Sequence, residues 1–132
     1  MLQKTNRLAK IRDFNLLLKH GRSVSGSFLS LRSLKLPTAQ KYFPPKENPA
    51  TFQTQLKIAF AVGLKVSKSA VKRNRARRQL REAVRLMLKD GLIGPGWYLL
   101  FVAKPDILNR DYAAIAEECA LLVKRAGITG RQ

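Results

Sequence analysis

Residues 68–85 read KSAVKRNRARRQLREAVR. Counted at about 100° per residue, Ala76, Leu80, Ala83, Val84 and Met87 share one arc, which predicts a helix from about Ser69 to Lys89 packed by that face on a sheet. Arg77, Arg81, Arg85, Arg78 and Arg75 sweep across the remaining circumference, and Arg73 stands beside the apolar edge. Between 68 and 85 eight lysines and arginines face one acid, Glu82, whereas an ordinary solvated helix face carries both signs. Lys72, Arg73 and Arg75 fall in the first turns, where unpaired N–H groups and the helix dipole already present positive charge. Each exposed cation there is disfavoured by about 0.3–1 kcal/mol. Phosphates at that end reverse the sign, because the N–H groups and the arginine forks then converge on one anionic partner.

Outward from this helix the chain reads as alternating elements. IRDFNLLLKH at 11–20 sets Ile11, Phe14, Leu17 and Leu18 along one side of a first helix, with Gly21 as its stop. VSGSFLSLRSLKL at 24–36 alternates apolar and polar residues as one half-buried strand. Four prolines between 37 and 53 mark a long Pro-rich loop, at about 37–54, containing Tyr42, Phe43 and Phe52. LKIAFAVGLKV at 56–66 is a second strand with Gly63 inside it. Beyond the basic helix, Asp90 to Gly96 is turn-rich, and WYLLFVA at 97–103 is a largely apolar strand closed by Pro105. Asn109 or Asp111 caps a last helix whose face is Tyr112, Ile115, Cys119, Leu122 and Val123, ending at Gly127. The order is helix, two strands, helix, strand, helix: an α+β fold in a single domain spanning 1–132.

The 132 residues hold 26 lysines and arginines against 8 acids, a formal charge of +18. Such an excess repels itself in a compact state and points to a polyanion, nucleic acid before membrane. No apolar run approaches the ~18 residues of a spanning helix. The basic start MLQKTNRLAKIRDF lacks the apolar stretch of a secretory signal, so the expected place is the cytoplasm. Cys119, the single cysteine, has no intrachain partner for a disulfide and suits a reducing compartment.

A catalytic centre is not visible. Asp13, Glu47, Glu82, Asp90, Asp106, Asp111, Glu117 and Glu118 are scattered, where a two-metal nuclease needs carboxylates converging on cations about 4 Å apart. His20, the only histidine, falls at a helix end where it serves as a favourable cation, and one Cys with one distant His makes no metal set. Helix-turn-helix, zinc-finger, zipper and RNA-recognition signatures are absent too, which leaves DNA and RNA both open.

VGLKVSK at 62–68 followed by AVKRNRARRQLREAVR at 70–85 resembles the protein subunit of bacterial ribonuclease P, with RLAKIRDF, KHGRSVSG and YLLFVAKP as further agreement. The resemblance implies a mixed, mostly antiparallel sheet packed with about three helices and a left-handed crossover around the arginine-rich helix. It also implies a non-catalytic protein that binds no cofactor itself. The partner is a catalytic RNA that uses Mg2+ to remove the 5′ leader from precursor tRNA, and neither a protein partner nor a membrane is implied. Carried over by position, Lys68, Lys72, Arg73, Asn74, Arg75, Arg77, Arg78 and Arg81 contact the RNA subunit. Phe14, Phe28 and Arg32 are the counterparts for leader contact, where an aromatic face stacks on a base for roughly 1–3 kcal/mol, with core packing as the other reading of Phe14. Leu18 and Arg32 replace aromatics of many relatives, which shifts leader contact from stacking toward charge, and the link between VSK and RNR is short and lacks a glycine. A small ribosomal protein or a nucleoid-type DNA binder would share the charge and the missing catalytic cluster.

Overall fold

The computed structural model describes residues 7–8, 10–36 and 55–128. The elements run α1 (Ile11–His20), β1 (Arg22–Ser25), β2 (Leu29–Lys35), β3 (Leu56–Ala61), α2 (Ala70–Lys89), β4 (Trp97–Ala103), a 3-10 turn (Pro105–Asn109) and α3 (Tyr112–Arg125). The strands form one mixed sheet in the order β1-β2-β4-β3. β2 pairs antiparallel with both β1 and β4, and β3 pairs parallel with β4, so α2 is the crossover between two parallel neighbours. Parallel neighbours cannot be joined by a hairpin, which is why a long helix separates the two strands.

Each face of the sheet has its own core. Leu29, Leu31, Ile58, Leu99 and Phe101 point to the side covered by α2 and α3, where they meet Leu80, Val84, Ile115 and Leu122. Phe60 and Phe101 stack across the parallel pair with centroids 5.7 Å apart. The other face carries Leu34, Tyr98 and Leu100 under Leu17 of α1, with Leu8 and Leu36 completing the cluster. Before α1, Leu8 N–H donates to the Ile58 carbonyl, laying the chain along the outer edge of β3 and pairing part of an otherwise open edge.

The basic helix follows its wheel: Ala76, Leu80, Ala83, Val84 and Met87 are its buried residues, and Ser69 caps it by accepting from Lys72 N–H. It ends at Gly91, whose φ of 73° is open to glycine at little cost. Asp111 caps α3 through Ala114 N–H, as one of the two expected caps.

Three expectations need correction. The single strand expected over 24–36 is the hairpin β1–β2, so the sheet has four strands rather than three. Its turn is held from outside: Glu118 on α3 accepts from the backbone N–H groups of Ser27 and Phe28 at 2.9 and 3.0 Å. A Cβ on Gly26 would stand 2.7 Å from the Glu118 carboxyl carbon, so only glycine lets the carboxylate approach this closely. Second, β3 stops at Ala61 rather than reaching 66, because Gly63 opens a turn closed by Val66 N–H onto its carbonyl. Third, the buried side of α1 is not the expected stripe. Leu17 is fully buried and Phe14 partly so, but Ile11 is 78% and Leu18 52% exposed. Asp13 occupies the interface instead, fully buried and paired with Lys57 Nζ at 3.4 Å and with Arg12 at 3.2 Å. The Pro-rich loop expected at 37–54 lies outside the described residues.

Candidate nucleic-acid interface

Helix α2 turns one flank toward the loop that precedes it and the other toward the 3-10 turn. On the loop side, Arg73 Nη1 donates to the carbonyls of Ser67 and Lys68 at 3.0 and 3.2 Å. Arg77 donates to Asn74 Oδ1 at 2.7 Å and reaches the Val62 carbonyl at 3.4 Å. These two arginines therefore fasten the 62–68 loop to the helix while leaving donors of each fork available. Lys68, Lys72, Asn74, Arg75 and Arg78 are exposed, and Arg81 is half-exposed on the same outward arc.

The electrostatics of this surface are one-sided. Glu82 forms a two-bond pair with Arg85 at 2.7 and 3.0 Å, and that hydrogen bond holds its carboxyl below the usual range. One arginine thus cancels the only acid of the 68–85 stretch, and the remaining seven cations keep their full excess. Among the described residues, Lys68, Lys72, Arg75, Arg78 and Arg81 have no side-chain partner.

On the opposite flank Lys72, Arg75 and Gln79 line a groove of about 230 Å3, floored by Ala76 and Ile107 and walled by Asn109 and Arg110. The far wall is braced by Asp106, which accepts from Asn109 at 3.0 Å and from Arg110 at 2.7 Å. Those two bonds lower its pKa. From the sequence Gln79 and Arg110 have no assigned role and Asn109 is only a candidate helix cap, because the groove exists only once the 3-10 turn folds against a helix some thirty residues upstream. The one available signal was the i, i+3, i+7 spacing of Lys72, Arg75 and Gln79.

The residues expected to form a leader cleft are not brought together as a group. Phe14 is half-buried on α1, against the same cluster as Ala59, Ala61 and Val102, which are only partly buried on that sheet face. Arg32 belongs to this face too. Its Nε donates to the Leu17 carbonyl at 3.0 Å and its Nη2 to the Leu18 carbonyl, so it caps the C-terminus of α1. Phe28 is elsewhere: 5% exposed, it belongs to the core on the opposite side of the sheet, with the Arg110 guanidinium 5.1 Å from its ring. Its place in the hairpin turn, set by Glu118, is the physical reason.

Among the described residues no group of three or more His, Cys, Asp or Glu side chains is placed to hold a metal ion. In the described part of the chain, no helix is long and apolar enough to cross a membrane. Burial pushes the Cys119 thiol up to about 12, with the nearby Glu118 adding to the shift.

The profile of one protein family, described as Ribonuclease P, matches residues 2–127. The ribonuclease P protein component of a Synechococcus is 34% identical over 128 residues, spanning 97% of this chain and 86% of the relative. That of Nostoc punctiforme is 37% identical over 113 residues, 79% of this chain and 77% of the relative. In fold, the chain is similar to the RNase P protein of Staphylococcus aureus, with a TM-score of 0.72 at 19% identity, over 96% of this chain and 100% of that one. It is likewise similar to the RNase P protein from Thermotoga maritima, with a TM-score of 0.66 at 23% identity, over 90% and 98%.

Proposed function

The chain belongs to the ribonuclease P protein family, and from that membership we propose that it serves as the RNA-binding protein subunit that helps a catalytic RNA remove the 5′ leader of precursor tRNA. The observation that carries this reading is the surface of α2: an arc of cations whose single acid is already neutralised by Arg85, on a helix anchored to the sheet by a continuous apolar face. Cations without protein partners keep their whole interaction free energy for phosphates. Displacing the counterions of a folded RNA then supplies most of the attraction.

In this reading Arg75, Arg78 and Arg81, with Lys68 and Lys72, contact the phosphates of the RNA subunit directly. Arg73, Asn74 and Arg77 act twice, holding the preceding loop and presenting their remaining donors. The leader lies over the partly buried sheet face beside α1. There Phe14 offers a ring for stacking, and Arg32, fixed by two helix carbonyls, offers its remaining N–H groups to the leader's backbone. Phe28 has no part in that cleft. Magnesium and the bond-breaking step are assigned to the RNA, and the complex works in the cytoplasm.

Two competition measurements test this. At matched salt the protein should bind a ribonuclease P RNA more tightly than duplex DNA of equal length, and precursor tRNA carrying a leader more tightly than mature tRNA when that RNA is present. Equal affinity for duplex DNA and for the RNA would contradict the proposal and favour a general nucleic-acid binder.

A further inference from the structure

We propose that the groove between α2 and the 3-10 turn is a binding site for one unpaired nucleotide of the RNA partner, with the base inside and its phosphate at the rim. The inference rests on the RNA-binding reading of α2 and adds to it a second kind of contact. The groove's accessible apolar lining is Leu108, 37% exposed, beside the buried Ala76 and Ile107, and its edges are amides, those of Gln79 and Asn109. A phosphate alone gains nothing from an apolar lining, whereas a base has apolar faces and polar edges that match both features. The volume of about 230 Å3 suits a single base, and a paired helix is too wide to enter it.

The polar groups are set for recognition. Asn109 donates its Nδ2 to Asp106, which leaves its Oδ1 available as an acceptor for an exocyclic amine. The Gln79 side chain has no partner among the described residues, so it can both donate and accept. Arg110 is paired with Asp106 and lies over the Phe28 ring, so its charge is offset on the far wall. The free cations, Lys72 and Arg75, sit one turn apart on the α2 side, where a phosphate bridging them would leave its base over Ala76.

The test uses the full chain and the ribonuclease P RNA of Nostoc punctiforme as probe. Binding is measured over a series of salt concentrations for the wild type, Gln79→Ala with Asn109→Ala, and Lys72→Ala with Arg75→Ala. The amide double variant should lose about tenfold in affinity at every salt, with an unchanged salt slope, because stacked and edge-bonded bases contribute without releasing counterions. The cation double variant should lower the slope by about two. Unchanged affinity in the amide variant alongside a reduced slope in the cation variant would overturn the nucleotide site and leave the RNA-binding reading standing. Unchanged binding in both would overturn both. A photoreactive group on Asn109→Cys gives a second readout, since the native Cys119 thiol is buried and pushed up to about 12. Crosslinks should map to an unpaired nucleotide. Crosslinks confined to paired helices, or none while binding persists, would overturn the site.

Discussion

Replacing Glu118 with alanine would leave two backbone N–H groups, that of the exposed Ser27 and that of the buried Phe28, without their acceptor. Each hydrogen bond to a charged group contributes about 1.5–3 kcal/mol, so urea unfolding should show a loss of at least about 2 kcal/mol. Gly26→Ala should destabilise for the complementary reason, since its Cβ would displace that carboxylate. At Cys119 the shift is upward, so the sign is fixed. The unfolded thiol releases its proton near 9.0 and the folded one only at about 12. This contribution to stability is whole below about pH 9 and is lost as pH rises toward 12. Cys119→Ala should flatten stability across that window, and the native thiol should resist a thiol reagent at pH 8 until denaturant is added. From the sequence Glu118 stands only among the scattered acids, although it falls three residues after Ile115 and just before Cys119, inside an apolar stripe. The acceptor role was not legible, because its donors lie about ninety residues away.

At the scale of elements, the arginines of α2 separate by what they hold. Arg75→Ala and Arg78→Ala should leave the unfolding curve unchanged and each lower the slope of log affinity against log salt by about one. Arg73→Ala and Arg77→Ala should weaken RNA binding and also lower stability, because their guanidiniums tie down the 62–68 loop. Equal behaviour of the two pairs in thermal melts would contradict this division. The helix itself was readable to within a residue, as were β4 and the bounds of α1, since each rests on local periodicity, a cap or a glycine. The hairpin was not. Alternation runs almost unbroken through 24–36, and the turn at 26–28 is imposed by α3, Lys104 and Arg125, which grip Ser25 and Gly26 from outside. The buried side of α1 was misread for a similar reason. Lys57 on β3 makes Asp13 an interior residue and leaves Ile11 and Leu18 to solvent, a pairing that sequence order does not announce.

For the whole molecule, the sheet separates two tasks. One face is sealed by α2 and α3 and supports the cationic surface; the other is only partly covered by α1, leaving Phe14 beside the small side chains Ala59, Ala61 and Val102. A formal charge of +18 with so few compensating acids makes association steeply salt-dependent. Neutralising six phosphates of a duplex would weaken binding on the order of 10³-fold between 50 and 200 mM salt. Such steepness reports phosphate contact but not biological role, which only the processing reaction can show. The direct measurement combines the purified protein, a ribonuclease P RNA and 5′-labelled precursor tRNA at limiting magnesium, with the cut mapped to the nucleotide. The account predicts protein-dependent cleavage at the mature 5′ end and no cleavage by the protein alone. Cleavage by the protein without the RNA, or no stimulation of a cognate RNA that binds it, would contradict the account.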